Sequence, residues 1–129
     1  MAESDLRYSR DHLWIEPQDL ATARIGVTFH YLDQLATIKI VELPEAGSRL
    51  AIGEVLATLE SSKTAVDLPA PVSGEVVAVN QAVTDDPGLI NREPTSGGWL
   101  VVVKMADPGE MNNLLTAEDY QALVMEQGI

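Results

Sequence analysis

Two runs of strand-forming residues, 54–60 and 66–71, are joined by only five residues, Ser61-Ser62-Lys63-Thr64-Ala65. So short a connection folds back as a β-hairpin. It puts Lys63 at the tip, where a turn glycine or asparagine would be usual. Seven prolines and nine glycines punctuate the rest of the 129 residues, as a chain of short strands requires. With 46% hydrophobic residues the chain is not disordered, and its length suits one compact domain over residues 1–129 with a modest core.

The remaining elements follow from local pattern. Residues 6–15, with Tyr8, His12, Leu13, Trp14 and Ile15, are expected to form one edge strand, and residues 22–27 alternate as a second strand. Thr28 is placed to cap a helix over residues 29–35 whose Phe29, Leu32 and Leu35 share a face. The β-branched run 37–43 stops at Pro44. Pro69, Pro71 and Gly74 break the chain before a strand over 75–79, residues 85–88 read as a turn, and 91–98 as a polar loop. Residues 99–105 form the most apolar strand and are expected to be central. Asp107-Pro108-Gly109-Glu110 carries a helix-start signature, and Thr116 opens a C-terminal helix over about 117–126 with Leu115 and Tyr120 at the staple positions. A core is expected from Ile38, Ile40, Val55, Leu59, Val76, Leu100 and Val102, with Met105, Met111 and Met125 filling gaps.

Several function classes are poorly served. A net charge of −12 argues against nucleic acid or an anionic membrane as partner. That charge is consistent both with simple solubility and with steering toward basic surfaces on partner enzymes. No apolar run approaches the ~20 residues of a membrane span. The acidic, polar start at residues 1–5 argues against a secretory signal or transit peptide, and a cytoplasmic location is expected. There is no cysteine, and His12 and His30 lack metal-ligand spacing, so no metal site is expected. Ser61 and Ser62 precede a lysine, but an exposed hairpin offers neither the pocket nor the oxyanion hole that a Ser-Lys nucleophile needs. No catalytic residue is assigned.

A carrier fits better. A swinging-arm protein needs an amine held away from its own surface on a rigid hairpin. Lys39 and Lys104 lie inside strand runs, which leaves Lys63 as the one lysine at a tip. A lone turn lysine is most often merely solvated, so the surrounding residues have to decide. Glu60-Ser61-Ser62-Lys63-Thr64, with Asp67, Pro71, Gly74, Val76 and Val79-Asn80, resembles the lipoyl-attachment signature of the glycine cleavage system H-protein family. Further blocks match in order: Tyr8-Ser9-Arg10-Asp11-His12-Leu13-Trp14, Val41-Glu42-Leu43-Pro44-Glu45-Ala46-Gly47, Ala70-Pro71-Val72-Ser73-Gly74-Glu75-Val76, and Asn91-Arg92-Glu93-Pro94 with Gly97-Gly98-Trp99-Leu100.

The resemblance implies a mainly β, lipoyl-domain-like sandwich (barrel-sandwich hybrid) of two small antiparallel sheets with short helices, one of them C-terminal. It also implies lipoate in amide linkage to Lys63, with Glu60, Ser62, Thr64 and Asp67 as hairpin recognition context. A lipoate ligase or lipoyl transferase would attach it. The oxidised arm would then accept an aminomethyl group at glycine decarboxylase and deliver it to a folate-dependent aminomethyl transferase, and dihydrolipoyl dehydrogenase would reoxidise the dithiol left behind. The protein would be a carrier and not an enzyme.

The chain departs from the family pattern at Leu13, where an acid is usual, at 29–32, at Ala36-Thr37 in place of Gly-Asp, and at 95–97. All of these are expected on surfaces met by partners or the arm. The departures keep a second reading open, a lipoate-binding protein of sulfur oxidation serving a heterodisulfide-reductase-like complex. An unlipoylated interaction module is the third.

Overall fold

The computed structural model describes residues 6–127. The acidic start at residues 1–5 lies outside the described residues. Strands β1 (Arg7–Tyr8), β2 (Leu13–Pro17), β3 (Thr22–Val27), β5 (Arg49–Leu50), β8 (Gly74–Val79) and β9 (Val101–Met105) form a six-stranded sheet in the order β1-β2-β3-β9-β8-β5. Strands β4 (Ile38–Glu42), β6 (Val55–Ser61) and β7 (Ala65–Pro69) form a three-stranded sheet in the order β4-β6-β7. All pairings are antiparallel, and one apolar cluster draws on both sheets. This is the expected two-sheet architecture. The apolar strand β9 is central, flanked by β3 and β8.

Residues 6–15 form two strands instead of one. Ser9 ends β1 by accepting the Leu13 N–H on its hydroxyl at 3.2 Å, and His12 turns the chain with φ 70°. Helix α1 (Phe29–Leu35) starts where expected, with the Thr28 hydroxyl accepting from the Tyr31 N–H. Its buried stripe holds Leu32 and Leu35 but not Phe29, which is 62% exposed. Each three-residue step drifts about 60° around a helix, so Phe29 and Leu35 stand about 120° apart.

The core expectation holds for Ile38, Leu59, Val76 and Leu100 and fails for three residues. Ile40 and Val55 are about half exposed. The register of β4 on β6 shifts between Ile38 and Ile40, and that of β6 on β7 shifts between Val55 and Ala57. Each irregularity breaks the period-two alternation, so residues two apart no longer share a face. In β9 the inward residues are Val101, Val103 and Met105, which turns Val102 away. Met125 is also corrected: it is 72% exposed, whereas Met105 is buried and Met111 packs on the core.

Two five-residue helices, α2 (Gln81–Asp85) and α3 (Gly88–Arg92), flank the expected turn, and α3 takes the first two residues of the expected polar loop. Asn80 caps α2 by accepting the Ala82 N–H, while its amide donates to the Gly97 and Trp99 carbonyls at 2.8 and 2.7 Å. A 3-10 turn (Pro108–Asn113) is capped by Asp107. Glu110, the acid three residues after that cap, accepts from the Ser73 N–H and hydroxyl. Helix α4 (Ala117–Glu126) is capped by Thr116 and docks through Tyr120, whose ring stacks on Tyr8 at 4.7 Å.

Candidate functional site

The β6–β7 hairpin presents Lys63 at its tip, exposed. The tight turn needs no glycine: among the described residues only His12 and Ala36 are non-glycine residues with positive φ. Ser61 does the work instead. Its hydroxyl accepts the N–H groups of Lys63 and Thr64, each at 3.1 Å, and donates to the Thr64 carbonyl at 3.1 Å. The Ser61 N–H also donates to that carbonyl at 2.7 Å. A hydroxyl that satisfies turn amides replaces the left-handed residues a two-residue hairpin usually demands. The sequence offered Ser61 as part of the attachment signature and as a nucleophile candidate, but not as the group that closes the turn. The usable signal was a serine two residues before the turn centre.

The tip is also tied to the link between α1 and β4, where the Ser62 N–H donates to the Thr37 carbonyl at 3.1 Å. Among the described residues the Lys63 ammonium has no hydrogen-bond or ion-pair partner. Lys39 and Lys104 lie within β4 and β9. Lys104 stands opposite Glu75 and Thr22 in the ladder.

Behind the tip, cross-strand rows put Ile40, Glu60 and Ala65 side by side, then Glu42, Thr58 and Asp67. Residues directly opposite share a face, so Glu42, Glu60 and Asp67 give the outer face of this sheet a negative charge. The Thr58 hydroxyl donates to Asp67 at 2.9 Å and fixes that carboxylate. Glu60 and Asp67 thus lie on one face, and Ser62 and Thr64 flank Lys63 at the exposed turn.

The departing residues separate into three settings. Leu13 and Leu32 are buried, so against expectation neither meets a partner or an arm, and their apolar character suits the core. Thr37 bonds the hairpin tip through its carbonyl, and Ala36 precedes it in the link between α1 and β4. Phe29, His30 and Thr95 line a cleft of about 320 Å³ together with Trp14, Thr28 and Tyr120. Below the cleft, the Tyr120 hydroxyl bonds His12 Nδ1 and the Thr28 hydroxyl, both at 2.8 Å. Burial, then the neighbouring His30, holds the His12 imidazole below its ordinary pKa against the opposing pull of Asp11. Burial raises the Tyr120 phenol. His12 is therefore a hydrogen-bonded structural group, and His30 bonds Gln34 on its own helix.

Comparison with known proteins agrees with this geometry. The family model described as glycine cleavage H-protein matches residues 6–127. The chain is 41% identical over 124 residues to the glycine cleavage system H protein of Escherichia coli O127:H6, covering 96% of each chain. The H protein of Salmonella newport gives the same identity and coverage. The crystal structure of a glycine cleavage system H protein from Mycobacterium marinum superposes with a TM-score of 0.83 at 34% identity, covering 98% of both chains. Nothing in these relatives supports the sulfur-oxidation reading.

Proposed function

The chain belongs to the glycine cleavage H-protein family, and on that premise we propose that Lys63 is the residue that bears its lipoyl group. Proteins of this family carry lipoate covalently on a lysine. The chain is accordingly the lipoyl carrier of the glycine cleavage system, a non-catalytic component that works with the system's other enzymes. The observation that supports Lys63 is its position: it is exposed at a hairpin tip and without a side-chain partner among the described residues, while the other two lysines lie in strands.

Those features fit an amide-linked arm, which needs an accessible amine on a rigid support. When bound, lipoate supplies a disulfide–dithiol couple that a chain without cysteine lacks. The chain's own residues present the amine. Ser61 closes the turn, and Thr37 anchors Ser62 from outside the hairpin. Glu60 and Asp67 offer charge to a basic surface on a lipoate ligase or lipoyl transferase, which also meets Ser62 and Thr64 beside the amine. Residues 1–129 act as one carrier domain in the cytoplasm. Tethering raises the effective concentration of the arm at each docked enzyme, here glycine decarboxylase, the aminomethyl transferase and dihydrolipoyl dehydrogenase.

The test is intact mass after expression with lipoate in a lipoylation-competent host. The wild-type protein is expected to gain one lipoyl group and Lys63→Arg none. A mass gain retained by Lys63→Arg, or absent from the wild type, would sink the assignment. Aminomethyl loading by glycine decarboxylase, alongside an established carrier, tests the route.

A further inference from the structure

The turn that carries Lys63 leans on a segment outside its own hairpin. Ser62 donates its N–H to the Thr37 carbonyl at 3.1 Å. Thr37 follows Ala36, whose φ 68° and ψ −157° fall in a region almost reserved for glycine. An alanine stays there only if its surroundings hold it. The Ala36 N–H donates to the Leu32 carbonyl at 3.0 Å, which secures one side.

Asn91, in α3, secures the other. Its Nδ2 donates to the Ala36 carbonyl at 3.0 Å and its Oδ1 accepts the Ile38 N–H at 2.8 Å, across 55 and 53 residues of sequence. A carbonyl needs a donor and an N–H needs an acceptor, so the two partners fix the orientation of the amide. One side chain thereby clamps the backbone on both sides of Thr37, and Thr37 holds the residue before Lys63.

We propose that Asn91 is a positioning residue for the lipoyl-bearing lysine, setting the direction of the Lys63 turn through Ala36, Thr37 and Ser62. The proposal rests on Lys63 being the attachment point. Without the clamp the link relaxes, the Ser62 N–H is released, and the tip samples orientations that a modifying enzyme does not accept. A competent fraction of about one tenth raises the apparent KM for lipoylation about tenfold with kcat unchanged.

The experiment compares the full chain with Asn91→Ala and Asn80→Ala, below the unfolding transition of each. Asn80 is the control, since its amide likewise ties backbone groups of separate segments, donating to two carbonyls and accepting one N–H where Asn91 donates to one and accepts one. Lipoylation kinetics with a lipoate ligase are read beside amide exchange at Ser62. Leu100, whose N–H donates to the Ile25 carbonyl at 2.9 Å, reports global opening. In Asn91→Ala the Ser62 amide is expected to lose protection beyond that at Leu100, with KM up about tenfold. Asn80→Ala should show neither effect. If Asn91→Ala does not fold, Asn91→Asp keeps the acceptor for Ile38, loses the donor to Ala36, and takes its place. Unchanged Ser62 exchange, unchanged KM, or equal effects in the two variants overturns the proposal. A wild-type chain that gains no mass at Lys63 sinks the attachment reading itself, while Ser62 exchange still decides whether the clamp exists.

Discussion

Replacing Ala36 with glycine should stabilise the protein, an unusual expectation for an alanine. At φ 68° and ψ −157° the alanine Cβ is crowded by its own backbone. Strain of this kind costs roughly 1–3 kcal/mol. Against its relief stands the greater freedom of glycine in the unfolded chain, about 0.4–1 kcal/mol. The methyl itself is only partly buried, so its loss costs less than the ~0.8 kcal/mol of a fully buried carbon. The balance is a gain of about 1 kcal/mol. For a chain of this length that raises Tm by about 3–5 °C. Urea unfolding at 25 °C should show a higher midpoint with an unchanged slope. Ala122→Gly, on the exposed side of α4, serves as the control and should lose about 1 kcal/mol. If Ala36→Gly loses stability as the control does, the backbone at residue 36 is not strained, and the reasoning about the link falls with it.

Two further outcomes follow from the described geometry. Burial and His30 hold His12 below the ordinary imidazole range, so between the folded and unfolded pKa values the unfolded chain binds more protons. The stability contributed is complete above the unfolded value of about 6.5 and is lost as pH falls from there toward the folded value. Urea midpoints at pH 7.5 and 5.5 should therefore differ more in the wild type than in His12→Asn, a residue that tolerates positive φ; an equal difference refutes the assignment. Ser61→Ala removes the hydroxyl that bonds Lys63 and Thr64, so it should cost about 1 kcal/mol and speed amide exchange at both residues. Unchanged exchange at the tip would show that the hydroxyl does not hold the turn.

What could be read from the sequence was local chemistry. Thr28, Asp107 and Thr116 cap helical segments where their side chains predict. The hairpin around Lys63 was legible because two strand-forming runs leave only five residues between them. The central place of β9 followed from its apolar run. Faces were harder, because Ile40 and Val55 turn outward at register shifts. A shift is settled between strands and leaves no mark in either run alone. Helices α2 and α3 are five residues each, too short for a period of 3.6 to show. At the site, the lysine was visible and its support was not. The Thr37 carbonyl belongs to another segment, and Asn91 reaches the link from more than fifty residues away.

The turn chemistry has a consequence for how this tip can change over evolution. Ser62, Lys63 and Thr64 are all exposed, and none needs a backbone conformation that excludes ordinary side chains. Closure falls to the Ser61 hydroxyl and to the backbone of Ser62 and Thr64. Side chains at 62 and 64 can therefore drift at little folding cost, while selection by whichever enzyme reads the tip acts on them undiluted. The identity of those two residues is then a record of recognition, kept separate from the record of stability at Ser61.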